Sequence, residues 1–258
     1  MNDVTTWLAH ATREPSDEFL GRMDRRWRDG LEAAAGDPCP WLSQPLHALA
    51  LSHVDRAVHK RRLRALFVGA GECPHLESGH GFTPTSDLVP HDMYGPETVC
   101  ARHTGSASPL AEAIRAAKAD PNLTAVAVLT EQQFTEVDAF HEHSGAMLRP
   151  EIHGAVIPFL YADLDESDDD AFEREGLLRA NGYATYTVDA SRMGEEPIDL
   201  HRDLALLMED VFDEIAHLKA DAAARILSQD PLWPLVVVRA PDTWAPQAYA
   251  VERCRDAA

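Results

Sequence analysis

Two apolar stretches decide the fold of this chain: Thr124-Ala-Val-Ala-Val-Leu129 and Gly154-Ala-Val-Ile-Pro-Phe-Leu-Tyr161. Each is a short continuous apolar run, the pattern of a strand that is buried on both faces of a parallel sheet. Polar residues follow both runs, beginning with Thr130 after the first and Asp163 after the second. Because ligands bind beyond the carboxyl ends of strands in open α/β sheets, we expect a functional site where these two strands end.

The rest of the chain alternates helical and strand patterns. Helices are predicted for 16–35, 44–60, 109–118, 135–147, 171–181 and 200–227, and strands for 63–69, 124–129, 154–161, 184–189 and 234–239. This alternation predicts an α/β fold with a doubly wound, mostly parallel sheet and helices on both faces. We expect Thr130 and Asp163 to lie at the ends of adjacent strands. The length of 258 residues fits a single domain over 1–258, with 1–15 flexible and 72–106 forming a long loop region.

Composition excludes several classes of function. The chain has 43 acidic and 23 basic residues and a formal net charge of −20, which disfavours binding to nucleic acids or to anionic membranes. Its N-terminal residues lack a signal-peptide run, and no stretch reaches the roughly 18 apolar residues that span a bilayer. A cytoplasmic protein with reduced thiols is expected, because the four cysteines show no CxxC spacing.

Short motifs spread over residues 16–245 occur in one order. They are Met23-Asp24 with Trp27-Arg28, Trp41 and Pro45 with His53 and Arg56, Phe67-Val-Gly-Ala-Gly71, His91 and Pro96-Glu-Thr98 with His103, Asp120-Pro-Asn-Leu123, Gly154-Ala-Val-Ile-Pro158, Gly182-Tyr183, and Trp233-Pro-Leu-Val-Val-Val-Arg-Ala-Pro241 with Trp244. Together they resemble the N-terminal, diphosphate-binding domain of xylulose-5-phosphate/fructose-6-phosphate phosphoketolases. The resemblance implies the thiamine diphosphate-binding fold and an aldehyde-lyase ancestry in carbohydrate metabolism. The pyrimidine-binding and C-terminal domains of that family have no counterpart in this sequence.

The resemblance also implies where a cofactor would bind. The family holds Mg²⁺ and diphosphate with a Gly-Asp-Gly motif, whose positions fall on Leu129, Thr130 and Glu131 in this chain. Thr130 offers a neutral hydroxyl in place of a carboxylate, although Mg²⁺ prefers charged oxygen ligands. Leu129 and Glu131 put side chains where glycines let the backbone approach the diphosphate. This half of the implied site is degenerate.

The second half of the implied site is acidic. The family's later Asn corresponds to Asp163, which retains an oxygen ligand and is the one candidate metal ligand. The carbonyl position and the Lys that follows it fall on Asp165 and Glu166. Since like charges repel, this cluster opposes diphosphate binding unless a cation neutralises it. The acidic run 163–170 has an alternative interpretation, as a solvated loop and helix N-terminus where carboxylates are favoured.

The candidate catalytic residues are histidines. By the same resemblance, His91 and His103 match histidines that handle the substrate. Two other histidines of the family are replaced in this chain, one by Pro40, next to Trp41, and one by Glu72. Two acid/base positions are therefore lost, and His91 and His103 are interpreted as relics. A transition-metal site at His141 and His143 is disfavoured, because positions i and i+2 of a helix point to different faces.

Two hypotheses about function remain open. In the first, the chain is a pseudoenzyme: a degenerate phosphoketolase-like module that acts as a binding, regulatory or scaffold protein. In the second, it is a subunit of a split thiamine diphosphate-dependent aldehyde-lyase acting on sugar phosphates, and a separately encoded partner supplies the pyrimidine-binding domain. Thiamine diphosphate and Mg²⁺ are expected only in the second case. Both hypotheses predict a homo-oligomer or a complex with such a partner.

Overall fold

The computed structural model describes residues 15–34, 45–61, 63–69, 98–102, 109–135, 153–191, 197–226 and 231–246. Its helices are α1 (Asp17–Ala34), α2 (Pro45–Arg61), α3 (Pro109–Ala119), α4 (Glu131–Thr135), α5 (Asp168–Ala180) and α6 (Pro197–Ala224). Its strands are β1 (Arg64–Gly69), β2 (Thr98–Arg102), β3 (Leu123–Leu129), β4 (Ala155–Asp163), β5 (Tyr183–Asp189) and β6 (Trp233–Ala240), and a 3₁₀ turn spans Asp242–Trp244.

The described strands form one sheet in the order β2-β1-β3-β4-β6-β5, and every neighbouring pair is parallel. The chain moves outward from β1 to β2, crosses back over β1 to β3, and later reverses again between β5 and β6. Right-handed crossovers therefore place α3, α4 and α5 on one face of the sheet and α6 on the other. The contact of α2 with α6 puts α2 on that second face, where α1 packs on both of them. The predicted doubly wound α/β fold is confirmed.

The core is centred on β3, β4 and β6. All seven residues of β3 are buried, and so are the first six residues of β4 and of β6. Trp233 begins β6 fully buried, and its indole N–H donates to the carbonyl of Val156 over 2.6 Å. Strands that are covered by helices on both faces need side chains that are apolar on both faces, which is why β3 and β4 are continuous apolar runs.

Two elements differ from the sequence predictions. Thr98–Arg102, inside the stretch 72–106 expected to be a loop, forms the edge strand β2 beside β1. Glu131–Thr135, expected to continue the polar segment after β3, forms the short helix α4. Thr135 is the last described residue of the helix predicted for 135–147, and most of the predicted flexible segment 1–15 also lies outside the described residues. The bounds of the other predicted elements shift by only a few residues.

Gly154 lies just before β4, at the amino end of the sheet, where its backbone contacts the end of α3. Gly154 donates its N–H to the carbonyl of Ala117 over 2.7 Å. A Cβ at this position would lie 2.5 Å from the carbonyl oxygen of Asp120 and closer still to that of Leu123. The backbones therefore approach so closely here that no side chain fits between them.

The length and apolar character of the helices bear on whether any of them could cross a membrane. Among the helices that the structure describes, none has both the length and the apolar character needed to span a lipid bilayer.

Candidate functional site

The predicted site lies at the carboxyl edge of the sheet. Thr130 directly follows β3, Asp163 is the last residue of β4, and the two strands are neighbours in the sheet. Leu129 pairs with Leu160, so β4 extends three residues beyond the end of β3. The expected adjacency of the two strands is therefore confirmed, with Asp163 projecting farther than Thr130.

The hydroxyl of Thr130 is used to start a helix. It accepts a hydrogen bond from the N–H of Gln133 at 3.2 Å, while the side-chain oxygen of Gln133 accepts from the N–H of Thr130 at 2.9 Å. This reciprocal pair is a capping box, and it begins α4. The Thr-x-x-Gln spacing of residues 130–133 is the sequence signal that would have predicted it. Glu131 is exposed in the first turn of α4, where a carboxylate is stabilised by the helix dipole.

The carboxylate of Asp163 is used to form a turn. Its Oδ1 accepts a hydrogen bond from the N–H of Asp165 at 2.9 Å, and its carbonyl accepts one from Glu166 at 3.4 Å. This Asx turn reverses the chain as it leaves β4. Asp163 is partly buried and Asp165 is exposed.

A buried ion pair stands beside this turn. The guanidinium of Arg174, on α5, contacts the carboxylate of Glu166, and both side chains are more than nine-tenths buried. Burial lowers the pKa of Arg174, while the nearby carboxylate of Glu131 acts to raise it. Arg174 was not predicted as a site residue, because nothing in the neighbouring sequence distinguishes it from Arg179 on the same acidic helix.

A second arginine closes the loop after β4. Arg239, on β6, donates to the carbonyl of Leu164 over 3.0 Å and lies 3.9 Å from the carboxylate of Asp189. Arg239 therefore ties the ends of β4, β5 and β6 together. Its guanidinium is directed at the protein itself.

A tyrosine and an aspartate join β4 to the segment after β6. The hydroxyl of Tyr161 donates to Asp242 over 3.2 Å. Burial, followed by the nearby charge of Asp163, raises the pKa of Tyr161 to about 12. Tyr161 is therefore a hydrogen-bond donor at neutral pH and does not act as a base.

The acidic run after the turn is the solvated start of a helix, as its alternative interpretation proposed. Ser167 is the N-cap of α5, and its hydroxyl both accepts from the N–H of Asp170 and donates to the carboxylate of Asp170. Residues 168–170 occupy the first turn of α5 and are exposed. Carboxylates are favoured at this position by the helix dipole.

The remaining candidates lie elsewhere. His91, His103, His141 and His143 fall outside the described residues, as do Trp41 and Glu72. Within the described part of the chain, no cluster of three or more His, Cys, Asp or Glu side chains has the geometry to hold a metal ion. Asp163 therefore has no set of companion ligands among the described side chains.

The described residues do not fit the cofactor that the resemblance implies. The hydroxyl of Thr130 and the carboxylate of Asp163 are both engaged in local backbone turns. Diphosphate would also meet the exposed carboxylates of Glu131 and Asp165. The two guanidinium groups at this edge are directed at Glu166 and at the Leu164 carbonyl. Neither the charge nor the available ligands suit a magnesium diphosphate.

Comparisons with known proteins identify the family. The family model of the XFP N-terminal domain matches residues 93–255, more than half of the chain. The chain is 27% identical over 239 residues to a probable phosphoketolase of Methylococcus capsulatus, covering 79% of this chain and 29% of that protein. It is 30% identical over 162 residues to a probable phosphoketolase of Brucella abortus, covering 58% and 20% respectively. It is 35% identical over 109 residues to one of Mycobacterium avium, covering 40% and 13%.

These relatives are much longer than the part that matches. The chain spans less than a third of the length of each of the three. The match lies over the same α/β domain whose sheet and carboxyl edge are described above. The chain therefore belongs to the phosphoketolase N-terminal domain family.

Proposed function

We propose that this chain is a non-catalytic member of its family that acts as a binding, regulatory or scaffold module. One observation carries the proposal: the polar side chains at the carboxyl edge bind each other and the backbone. Thr130 caps α4, Asp163 closes a turn, and Glu166 pairs with Arg174 in the interior. A catalytic site needs polar groups that are free to meet a ligand, whereas these groups stabilise the protein's own loops.

Binding of the family's cofactor tests this proposal. We expect calorimetric titration of the purified chain with thiamine diphosphate and Mg²⁺ to give no measurable binding, because carboxylates surround the position of the diphosphate. A catalytically competent phosphoketolase, titrated under the same conditions, is the positive control. Micromolar binding by this chain, or release of acetyl phosphate from xylulose 5-phosphate or fructose 6-phosphate by the chain alone, would refute the proposal.

The second candidate function is a subunit of a split lyase. It is favoured by the oxygen ligand that Asp163 retains at the end of β4, and by the retention in the sequence of His91 and His103, which lie outside the described residues. A protein supplying the pyrimidine-binding domain would then complete the site. Adding such a co-encoded partner to the titration discriminates between the candidates: cofactor binding by the pair and not by the chain supports the split enzyme.

Association is proposed under both candidates, as a homo-oligomer or a complex with such a partner. Phe172, near the start of α5 and thus close to the carboxyl edge, is 77% exposed and is one of two large apolar side chains that are exposed among the described residues. We expect static light scattering at increasing concentrations to show a dimer or larger species, and Phe172→Ser to weaken its formation. Ile226, 70% exposed beyond α6 at the opposite edge of the sheet, provides the matched control, Ile226→Ser. A monomer at every concentration, alone and with the partner, would contradict this proposal.

A further inference from the structure

Two histidines meet in the interior of the helical layer, far along the chain from each other. Nε2 of His53, on α2, lies 2.9 Å from Nδ1 of His201, on α6, and the rings are stacked with centroids 5.2 Å apart. Both side chains are buried, at 1% and 0% exposure. We call these two residues the buried histidine pair.

A third helix, α1, completes the arrangement. Asp24, on α1, places Oδ1 at 3.5 Å from Nε2 of His201. The ring of Trp27, one turn along α1, meets His201 edge-on with centroids 6.0 Å apart. The buried histidine pair therefore connects α1, α2 and α6 through polar contacts in an apolar environment.

The contacts define where the ring protons lie. Nε2 of His201 has no hydrogen bond among the described residues, but the carboxylate of Asp24 lies 3.5 Å from it and its charge favours a proton there, which leaves Nδ1 of that ring as an acceptor. His53 then donates its Nε2 proton to it. Nδ1 of His53 is left as a buried lone pair with no hydrogen-bond partner among the described residues. Both rings are neutral in this state, and both protons point towards Asp24.

An additional proton on the buried histidine pair would have no hydrogen-bond acceptor among the described residues. The pair has three positions for hydrogen: the contact with Asp24, the bond between the rings, and Nδ1 of His53. The first two are already filled, so a third hydrogen must be carried by Nδ1 of His53, whichever ring takes the charge. A buried donor without an acceptor is destabilising, and more so when it is charged.

Some of the charges around the pair lower the pKa of its rings, and one raises it. Burial lowers the pKa of His53, and His201 and Arg56 lower it further. Burial also lowers the pKa of His201, opposed by Asp24 and assisted by Arg28, which itself binds Asp24.

Other charges nearby are already paired. On α6, Glu209 is occupied with the two arginines of α2, Arg56 and Arg61. Burial has the largest effect on the pKa of both rings and lowers it, so both rings stay neutral near neutral pH.

The position of the pair matters because α1, among the described elements, packs mainly on α2 and α6 and not on the strands. Through Trp27, α1 also packs on Trp244, with ring centroids 5.4 Å apart. Its own charged contacts are at the surface, including the ion pair of Asp17 with Arg202. Such a helix can open without unfolding the sheet.

We propose that the buried histidine pair is a proton-sensitive joint, which holds α1 against α2 and α6 while both rings are neutral and releases it in mild acid. Opening of α1 exposes both rings to water, where each takes up a proton at its ordinary pKa of about 6.5. The closed state resists protonation because its pKa values are lowered, so falling pH favours the open state from about pH 6.5 downwards.

The joint is tested by hydrogen exchange of the whole chain, followed by mass spectrometry at pH 7.5 and 5.5 and corrected for the intrinsic exchange rate at each pH. Two neutral rings that both become charged on opening predict that the opening constant of residues 17–34 rises up to about 100-fold between these pH values. Residues 155–163 of β4 should remain protected under both conditions. Opening of α1 together with β4, with one common protection factor, would overturn the proposal.

Variants separate the pair from other histidines. His53→Gln keeps a donor towards His201 but cannot be protonated, so the pH effect should shrink to about tenfold, contributed by His201 alone. His217→Gln, at an exposed position of the same α6, should leave the full effect. A pH effect of unchanged size in His53→Gln would show that the pair is not the sensor.

A measurement on the unaltered chain keeps the proposal testable if His53→Gln does not fold. Nitrogen-15 NMR of the imidazole rings at pH 7.5 should show both buried rings neutral with their proton on Nε2. A charged ring, or a proton on Nδ1 of either residue at this pH, would overturn the geometry on which the joint depends.

Discussion

Gly154→Ala is expected to cost about 3 kcal/mol or more of the free energy of unfolding. The added Cβ would lie 2.5 Å from the carbonyl oxygen of Asp120, closer still to that of Leu123, and 3.1 Å from that of Ala117. All three are backbone atoms at the start of β3 and the end of α3, which cannot move aside as a flexible side chain can. Relief would require β4 to shift away from β3. Urea unfolding followed by far-UV circular dichroism measures the loss.

The chain offers a matched control for this substitution. Gly176, on α5, has no atom within 4 Å of its would-be Cβ. Because glycine in a helix interior is less favourable than alanine by about 0.5–1 kcal/mol, Gly176→Ala should stabilise the protein slightly. Equal effects of the two substitutions would contradict the close approach of the backbones at Gly154.

Breaking the buried ion pair of Glu166 and Arg174 should destabilise the protein by about 3–5 kcal/mol, the cost of leaving a buried charge without its partner. In Arg174→Met the carboxylate of Glu166 remains in a position where its side chain is only 8% exposed. Chemical denaturation at neutral pH gives the change in the free energy of unfolding. The double variant Glu166→Leu/Arg174→Met should recover most of the loss, because removing both charges removes the desolvation penalty together with the attraction.

An exposed ion pair of the same chemistry supplies the comparison. Arg22 lies 2.6 Å from Glu18 on α1, with both side chains about half or more exposed. Arg22→Met should cost less than about 1 kcal/mol, because water screens this pair in the native state. If Arg174→Met were as mild as Arg22→Met, the pair at the carboxyl edge would not be the buried contact described, and the argument for a self-satisfied site would weaken.

The ion pair also bears on the proposed function. Glu166 follows the turn at Asp163, and Arg174 reaches it from the middle of α5. Together with the capping box at Thr130, the pair uses the polar groups of the carboxyl edge to stabilise loops. The ion pair thus fixes the loop after β4 against α5 through groups of the protein itself.

The α/β class, the parallel sheet and the position of the candidate site could all be predicted from the order of the amino acids. Leu123–Leu129 and Ala155–Asp163 could be recognised because a strand covered on both faces must be apolar throughout, and that requirement is written into consecutive residues. The acidic first turn of α5 could also be recognised, since a helix end is stabilised by residues close to it in sequence.

Contacts between residues that are distant in sequence could not be predicted in this way and are known from the fold. The contact of His53 with His201, the approach of Lys219 to the carbonyl of His153, and the lack of space at Gly154 all join segments that are distant in sequence. Such contacts depend on the order of strands and on the packing of helices, to which no local pattern corresponds. The residue pattern thus indicated where polar groups gather, whereas the fold brought Glu166 and Arg174 together there, because a buried charge without a partner is costly.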